Sequence, residues 1–384
     1  METQDHVHVV MLLQSITQIQ NLNDQAMMLL LRERRRRIRR TFRRRRSFWI
    51  RPWLATDRRL QFGHYDQLMN ELRIEDEPSF FNFLRMPPVM FDELPYRVDI
   101  HLATGEKYST LEYDFRVARN SISKFLPEVC RAIVDEYKDE VISCPTDQND
   151  WRAIADEFQK RWNVPHACGA LDGEHVAIRC PPKTGSLYHN YKDAQIYNAS
   201  ELKECLEDGT IGFPEPDPLP NDDQNMPYFL LGDDAFGLRT YLMKPFSIRG
   251  MSKEQAITNY RISRGRRVVE NAFGILAQRW QIFLSTMGQV PDTVSVIIET
   301  CVCLHNLMRM RYPNLQNVQL DMEDDLHNLV PGLWRANANM HEVNSVVGPN
   351  RDTVAAKKQR EYLKLYFNSP AGSVPWQERM VTSQ

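Results

Sequence analysis

The sequence predicts a mixed protein, α+β shading into α/β, with a helical N-terminal region, a strand-bearing middle and a helical C-terminus. Three observations carry this. Between about 51 and 165 apolar residues recur at helical spacing, as in Trp151, Ile154, Phe158 and Trp162, one stripe ending before Pro165. From 166 short apolar runs suited to strands take over, Ala170 to Ile178 and Tyr228 to Leu231. After 250 helical periodicity returns, through Val268 to Phe283, Val294 to Met308 and Val354 to Phe367. The implied divisions are an arm over 1–50, a helical region over 51–165, a sheet-containing domain over 166–310, and a polar stretch with a last helix over 311–384.

A chain of 384 residues has room for two or three cores of the usual ~100 to 200 residues. Its formal net charge of -2 hides a separation. Residues 32–46 carry eleven arginines against one glutamate, leaving 37 basic and 49 acidic residues elsewhere. The run Arg34, Arg35, Arg36, Arg37, Arg39, Arg40, Arg43, Arg44, Arg45 and Arg46 repels itself, stays solvated and binds polyphosphate by counterion release. Nucleic acid is therefore the expected partner, and the run suits either a nuclear import signal or a clamp on the DNA backbone. Ahead of it Val9, Leu12, Leu13, Ile16 and Ile19 fall at helical spacing. Seven cysteines, an odd number without zinc-ligand spacing, point to a reducing compartment. No apolar stretch reaches the ~18 residues a membrane helix needs. The expected location is the nucleus, with the cytoplasm second.

In the helical region Tyr108 to Phe115 is followed by the break Arg116-Val117-Ala118-Arg119 and then by Asn120, an expected N-cap, before a helix burying Ile122, Phe125, Leu126 and Val129. Helix, turn and capped helix, at about 108–137, is the layout of a helix-turn-helix. It would offer Ser121, Ser123 and Lys124 to DNA, with Arg116 and Arg119 on phosphates; two packed helices that never meet DNA would look the same. Further on, Pro214, Pro216, Pro218 and Pro220 alternate with acidic residues, so no strand pair is expected between Ile178 and Tyr228. Residues 311–350, rich in Asn and Asp, read as a poorly packed excursion.

Three acids could carry chemistry. Asp172 interrupts an apolar run in Gly169-Ala170-Leu171-Asp172-Gly173-Glu174-His175-Val176, where a carboxylate needs compensation that a bound cation can supply; Asp-Gly is also a hairpin turn. Asp233 ends an apolar run in Phe229-Leu230-Leu231-Gly232-Asp233-Asp234, the usual place for ligands in α/β sheets, or a cap of the next turn. Glu270 borders the apolar stripe of Val268, Val269, Ala272, Phe273, Leu276 and Trp280, or pairs with Arg266 on the surface. One turn later Gly274 leaves room for another backbone. Two acids at strand ends and one on a helix suit two hard cations, Mg²⁺ or Mn²⁺, that steady phosphodiester displacement. Arg261, Arg264, Arg266 and Arg267 could hold the substrate backbone or form a solvated face.

The ordered set Phe80-Phe81-Asn82-Phe83-Leu84-Arg85-Met86, Gly169 to His175, Leu231-Gly232-Asp233, Arg267-Val268-Val269-Glu270-Asn271-Ala272-Phe273-Gly274 and Cys303-Leu304-His305-Asn306 resembles PIF/Harbinger transposases and their derived nucleases. The resemblance runs from about 48 to 376. It implies an RNase H-like catalytic domain, a nuclear setting, DNA as substrate, two divalent metals held by Asp172, Asp233 and Glu270, Asp234 as a non-ligand neighbour, and a Myb/SANT-like companion protein. The chain departs from the pattern where Tyr188-His189-Asn190-Tyr191-Lys192 runs straight into Asp193. In a sheet of order 3-2-1-4-5 that removes strands 2 and 3, stripping one edge of the first strand. A second gap follows Leu94. Two functions stay open: a metal-dependent DNA endonuclease, and a non-catalytic DNA-binding or recruitment protein.

Overall fold

The computed structural model describes residues 50–64, 67–93, 99–180, 193–313, 320–336 and 352–382. The apolar repeat from Val9 to Ile19, the arginine run and Tyr188 to Lys192 lie outside the described residues. The chain divides into two compact units, one up to Arg58 and one from Arg59 onward. In the first, the described residues hold a 3₁₀ turn, Pro52–Leu54, and the start of helix α1 (Thr56–Phe62). The second carries everything that follows.

Short helices α2 (Leu68–Glu75), α3 (Glu77–Leu84), α4 (Pro88–Glu93), α5 (Asp99–Thr104) and α6 (Tyr108–Phe115) lead into α7 (Arg119–Val141). The break before α7 turns at Arg116, whose φ is 51°. Helix α7 starts at Arg119 with Ala118 in the capping place, so Asn120 lies inside the first turn rather than at the cap. Helix α8 (Gln148–Trp162) follows, its exposed amides satisfied by Asp147, whose Oδ1 accepts from Asn149 N at 2.7 Å and Asp150 N at 2.9 Å. It ends at Asn163 in the left-handed region, φ 54°.

The sheet is small. Strand β1 (Ala167–Ala170) pairs in parallel with β4 (Phe229–Leu231), which pairs in parallel with β5 (Leu242–Met243), in the order β1-β4-β5. The expected strand from Ala170 to Ile178 is displaced. Pairing begins three residues earlier and ends at Ala170, since Asp172-Gly173 turns the chain out of the sheet, and Ile178 makes only an isolated bridge to Met287. The expected absence of any strand pair between Ile178 and Tyr228 is also corrected. Strands β2 (Asp217–Pro218) and β3 (Asn225–Met226) form an antiparallel ladder of their own. It is short enough to spare the amide that Pro218 lacks, and Asp217 is held by Arg152 at 3.3 Å and the Tyr228 hydroxyl at 3.2 Å. Between β1 and β2 stand helices α9 (Asp193–Asn198) and α10 (Glu201–Asp208).

Beyond the sheet run α11 (Lys253–Arg279) and α12 (Pro291–Arg311). A capping box at Ser252 and Gln255 starts α11. A two-stranded ladder, β6 (Met322–Glu323) with β7 (Leu329–Val330), is followed by a 3₁₀ turn, Leu333–Ala336, and helices α13 (Val354–Phe367) and α14 (Gln377–Thr382).

Burial organises these elements. One core joins the N-terminal helices to the later ones, with Phe80, Leu84, Leu126 and Ile133 packed among Trp280, Ile297 and Leu304. Hydrogen bonds from Thr300 Oγ1 to the Cys130 carbonyl at 3.2 Å and from Asn306 Nδ2 to the Val141 carbonyl at 3.0 Å tie α12 to α7. A second core sets β1 and β4 against Ile262 of α11 and Leu363 and Phe367 of α13. The third lies among Trp151, Leu206, Leu230 and Phe236. Among the described residues no helix is long and apolar enough to cross a membrane.

Candidate active site

The register of the sheet decides where two of the acids go. Ala170 stands opposite Leu231, and pairing continues one residue further through Leu171 N to Leu231 O at 2.7 Å. Asp172 and Asp233 each lie two residues past that pair, so they leave the sheet at the same carboxyl edge. Each then turns the chain with its own carboxylate. Asp172 Oδ1 accepts from Gly173 N at 3.0 Å, and Asp233 Oδ1 accepts from Ala235 N at 2.9 Å. Asp234 is exposed.

Glu270 arrives on α11, and Gly265 is what lets that helix lie close to the sheet. A Cβ there would stand 2.6 Å from Leu231 Cδ1 and 3.3 Å from Val164 Cγ2. The helix therefore presses on the strand that ends in Asp233, and its next turns carry Arg266 and Glu270 past the same edge. Arg266 Nη2 donates to Glu270 Oε1 at 2.9 Å and lies 3.6 Å from Asp172 Oδ2, so one guanidinium joins an acid of the sheet to the acid of the helix. The Asp172 carboxyl is pushed above the usual range first by burial. Arg266 and the Gly173 amide oppose that shift, and the negative charges of Asp233 and Glu270 add to it. All three acids thus share one electrostatic neighbourhood.

A part of the site was missed in the sequence. Residues 320–336, expected to pack poorly, form a strap clamped on α11. Trp334, 5% exposed, fills the notch at Gly274, where a Cβ would fall inside the indole ring. The expectation at Gly274 was an approaching backbone; a side chain came instead. The indole Nε1 donates to Asn271 Oδ1 at 2.8 Å, and the same oxygen accepts from Asp321 N at 3.2 Å. Asp321 takes a forked pair from Arg335, Nε to Oδ1 at 2.9 Å and Nη2 to Oδ2 at 2.6 Å, and Arg335 Nη2 reaches to 3.8 Å from Glu270 Oε2. Both carboxylate oxygens of Glu270 therefore face guanidinium groups. The available signal was Trp334 itself, a large apolar side chain in a polar stretch.

The four arginines of α11 separate. Arg261 and Arg264, expected as holders of a substrate backbone, are corrected by their burial, at 2% and 4% exposed. Arg261 donates to Gln377 Oε1 at 2.9 Å, to the Gly372 carbonyl at 3.2 Å and to the Asn163 carbonyl. Arg264 is held by Glu323 through two bonds of 2.7 Å, and by Asn163 Oδ1 and the Trp162 carbonyl. Arg267 also bonds Glu323, at 3.1 Å, leaving Arg266 as the one turned toward the acids. On α7, Arg119, Ser121, Ser123 and Lys124 are exposed, whereas Arg116 is half-buried with its guanidinium over the Phe62 ring.

The donor set suits a hard divalent cation in kind, being all carboxylate. Its spacing does not: among the described residues no three His, Cys, Asp or Glu side chains are gathered closely enough to hold a metal. Guanidinium supplies the positive charge instead.

Residues 190–306, a stretch that includes Asp233 and Glu270 and begins after Asp172, match the DDE superfamily endonuclease family. Over that stretch the chain is similar to DDE superfamily endonucleases. It is 29% identical over 214 residues to "Putative nuclease HARBI1" of Homo sapiens, covering 50% of this chain and 59% of the relative. It is 25% identical over 215 residues to the protein of the same name in Xenopus laevis, covering 50% and 60%. To "Protein ALP1-like" of Arabidopsis thaliana it is 22% identical over 260 residues, covering 59% and 63%. The chain spans about three fifths of the length of these relatives. No solved structure matches it significantly.

Proposed function

We propose that the chain is a transposase-derived, divalent-metal-dependent DNA endonuclease acting in the nucleus, with Asp172, Asp233 and Glu270 as the metal-holding set. The observation that carries this is the shared neighbourhood of the three acids: two at one edge of paired parallel strands, the third on a helix seated against that edge. The parallel order β1-β4-β5 matches the 1-4-5 half of an RNase H sheet, and relatives named as nucleases support the reaction class. The Myb/SANT-like companion has no such support.

With Arg266 moved off Asp172 and Glu270 so that the acids could close up, bound Mg²⁺ or Mn²⁺ would supply Lewis-acid activation of the scissile phosphate and the attacking water. The chain's own part is to bring the acids to one edge and to manage their charge. Gly265 sets the depth of α11, Asn271 and Gly274 seat the strap, and Arg335 steadies Glu270. Arg266, released from Asp172 and Glu270, is the cation left to meet a backbone phosphate. Exposed Arg119, Ser121, Ser123 and Lys124 on α7 give the DNA a second surface.

The test is nicking of supercoiled plasmid with Mg²⁺ or Mn²⁺, beside DNA binding by mobility shift. Asp233→Asn abolishes nicking and leaves binding intact. Unchanged nicking in that variant defeats the assignment. A second reading, a non-catalytic DNA-binding or recruitment protein, is favoured by the guanidinium groups facing both oxygens of Glu270. Salt-sensitive binding without cleavage under any metal selects it.

A further inference from the structure

At the far end of α11 the charges are arranged in the opposite sense. Arg279, in the last turn of α11, is 3% exposed, and its Nη1 is buried without a hydrogen-bond partner. The next residue fixes its surroundings: Trp280 Nε1 donates to the Cys301 carbonyl at 3.1 Å, pinning the end of α11 on α12 one turn before His305 and two before Arg309. His305 is 6% exposed, and its Nδ1 also lacks a partner. Arg85 joins from α3, in the left-handed conformation (φ 62°) between Leu84 and Met86, which are buried in the same core as Trp280 and Cys301. The fields that Arg279 feels are those of Arg309 and Arg85, both of like charge, and burial with them pushes its guanidinium down to about 10. His305 is pushed down to about 3 by burial and by Arg279 and Arg309, so it stays neutral. Among the described residues no carboxylate bonds Arg85, Arg279 or Arg309.

A buried guanidinium without an acid or an acceptor is costly unless something anionic meets it. His305 and Arg309 also line a cavity of about 720 Å³ whose walls include Val268, Phe273, Leu276 and Val302. Asp321, a carboxylate on its wall, is already held by Arg335. We propose that Arg85, Arg279 and Arg309, with His305, form a second anion site that takes the phosphate group of a small molecule. Guanidinium forks match phosphate oxygens, and a neutral imidazole adds a donor without adding charge. Depth selects the source: Arg309 is exposed but Arg279 is only 3% exposed, and a duplex backbone is too broad to reach a guanidinium so buried. The site lies nine residues beyond Glu270, about 13 Å along the helix, and is independent of the carboxylate set.

The test is thermal unfolding of the full chain in phosphate-free buffer with chelator, titrated with inorganic phosphate or pyrophosphate at fixed ionic strength. The wild type shows a saturable rise in Tm. Arg279→Met, which removes the buried charge, unfolds at a higher temperature than wild type without phosphate and gains nothing from it. Arg309→Gln, at an exposed position, folds normally and binds pyrophosphate roughly tenfold or more weakly. If Arg279→Met does not fold, Arg309→Gln decides. No saturable rise in the wild type, or equal rises in wild type and variants, overturns the site. Duplex DNA is the last arm: pyrophosphate that stays bound beside DNA supports a small-molecule ligand, and pyrophosphate displaced by DNA overturns that assignment in favour of a backbone phosphate.

Discussion

Gly274→Ala is the sharpest test of how the strap is held. In an exposed helix this change is favourable by about 1 kcal/mol, because alanine gives up less backbone freedom than glycine. Here the new Cβ falls inside the Trp334 ring, a contact that cannot be relieved by turning the end of a flexible side chain. Trp334 must move, and forced repacking of this kind costs about 1 to 3 kcal/mol. The bond from its indole to Asn271 goes with it, for about 1 kcal/mol more. Against the gain in helix propensity, the net expectation is a loss of about 2 kcal/mol, read by urea denaturation followed by far-ultraviolet circular dichroism. The sign is the stronger test. In a Trp334→Ala background the notch is empty, and Gly274→Ala should then stabilise by about 1 kcal/mol, giving a coupling of about 3 kcal/mol between the two positions. A Gly274→Ala protein as stable as wild type, or the same effect in both backgrounds, would refute the docking of Trp334 on α11.

Two further outcomes follow from charges. His101 is buried between the Glu106 carbonyl at 2.7 Å and Gln289 at 2.8 Å, and burial pushes its imidazole down to about 4. Its folded pKa is depressed, so its contribution is present above about pH 6.5 and is lost as pH falls to about 4, a change on the order of 3 kcal/mol. A His101→Gln variant should flatten that part of the stability-pH profile, and an unaltered slope would count against a neutral buried His101. Removing the internal cation in Arg266→Gln should tighten Mn²⁺ binding by roughly tenfold or more, measured calorimetrically, because two carboxylates lose their counter-charge; weaker binding would show that Arg266 organises the acids instead of competing for them.

Much of this arrangement was readable in advance. The run Phe229 to Leu231 was identifiable as a strand by its apolar residues before Gly232, and Val354–Phe367 by its periodicity. Asp172 and Asp233 stood out as acids in apolar runs, and their convergence needed only a shared strand edge. Other features were hidden for physical reasons. Arg261, Arg264 and Gly265 share a helix face, yet arginine usually signals solvent, and what buries these two are carbonyls of Asn163, Trp162 and Gly372 that no periodicity displays. The strap read as loosely packed because it is polar. Two of its acids, Asp321 and Glu323, are consumed by Arg335, Arg264 and Arg267, partners up to 59 residues away. Strand β1 was misplaced because the residue that gives it away, Asp172, ends the strand where an apolar count would continue it.

The two arginines on Glu270 come from very different distances along the chain, one a single turn away and the other 65 positions downstream. A product truncated before Leu320 would keep every acid of the cluster. It would also lose Arg335, the indole seated at Gly274 and the carboxylate shared by Arg264 and Arg267. An inventory of acids would score such a product as intact, although the helix bearing its third acid had shed its outer brace.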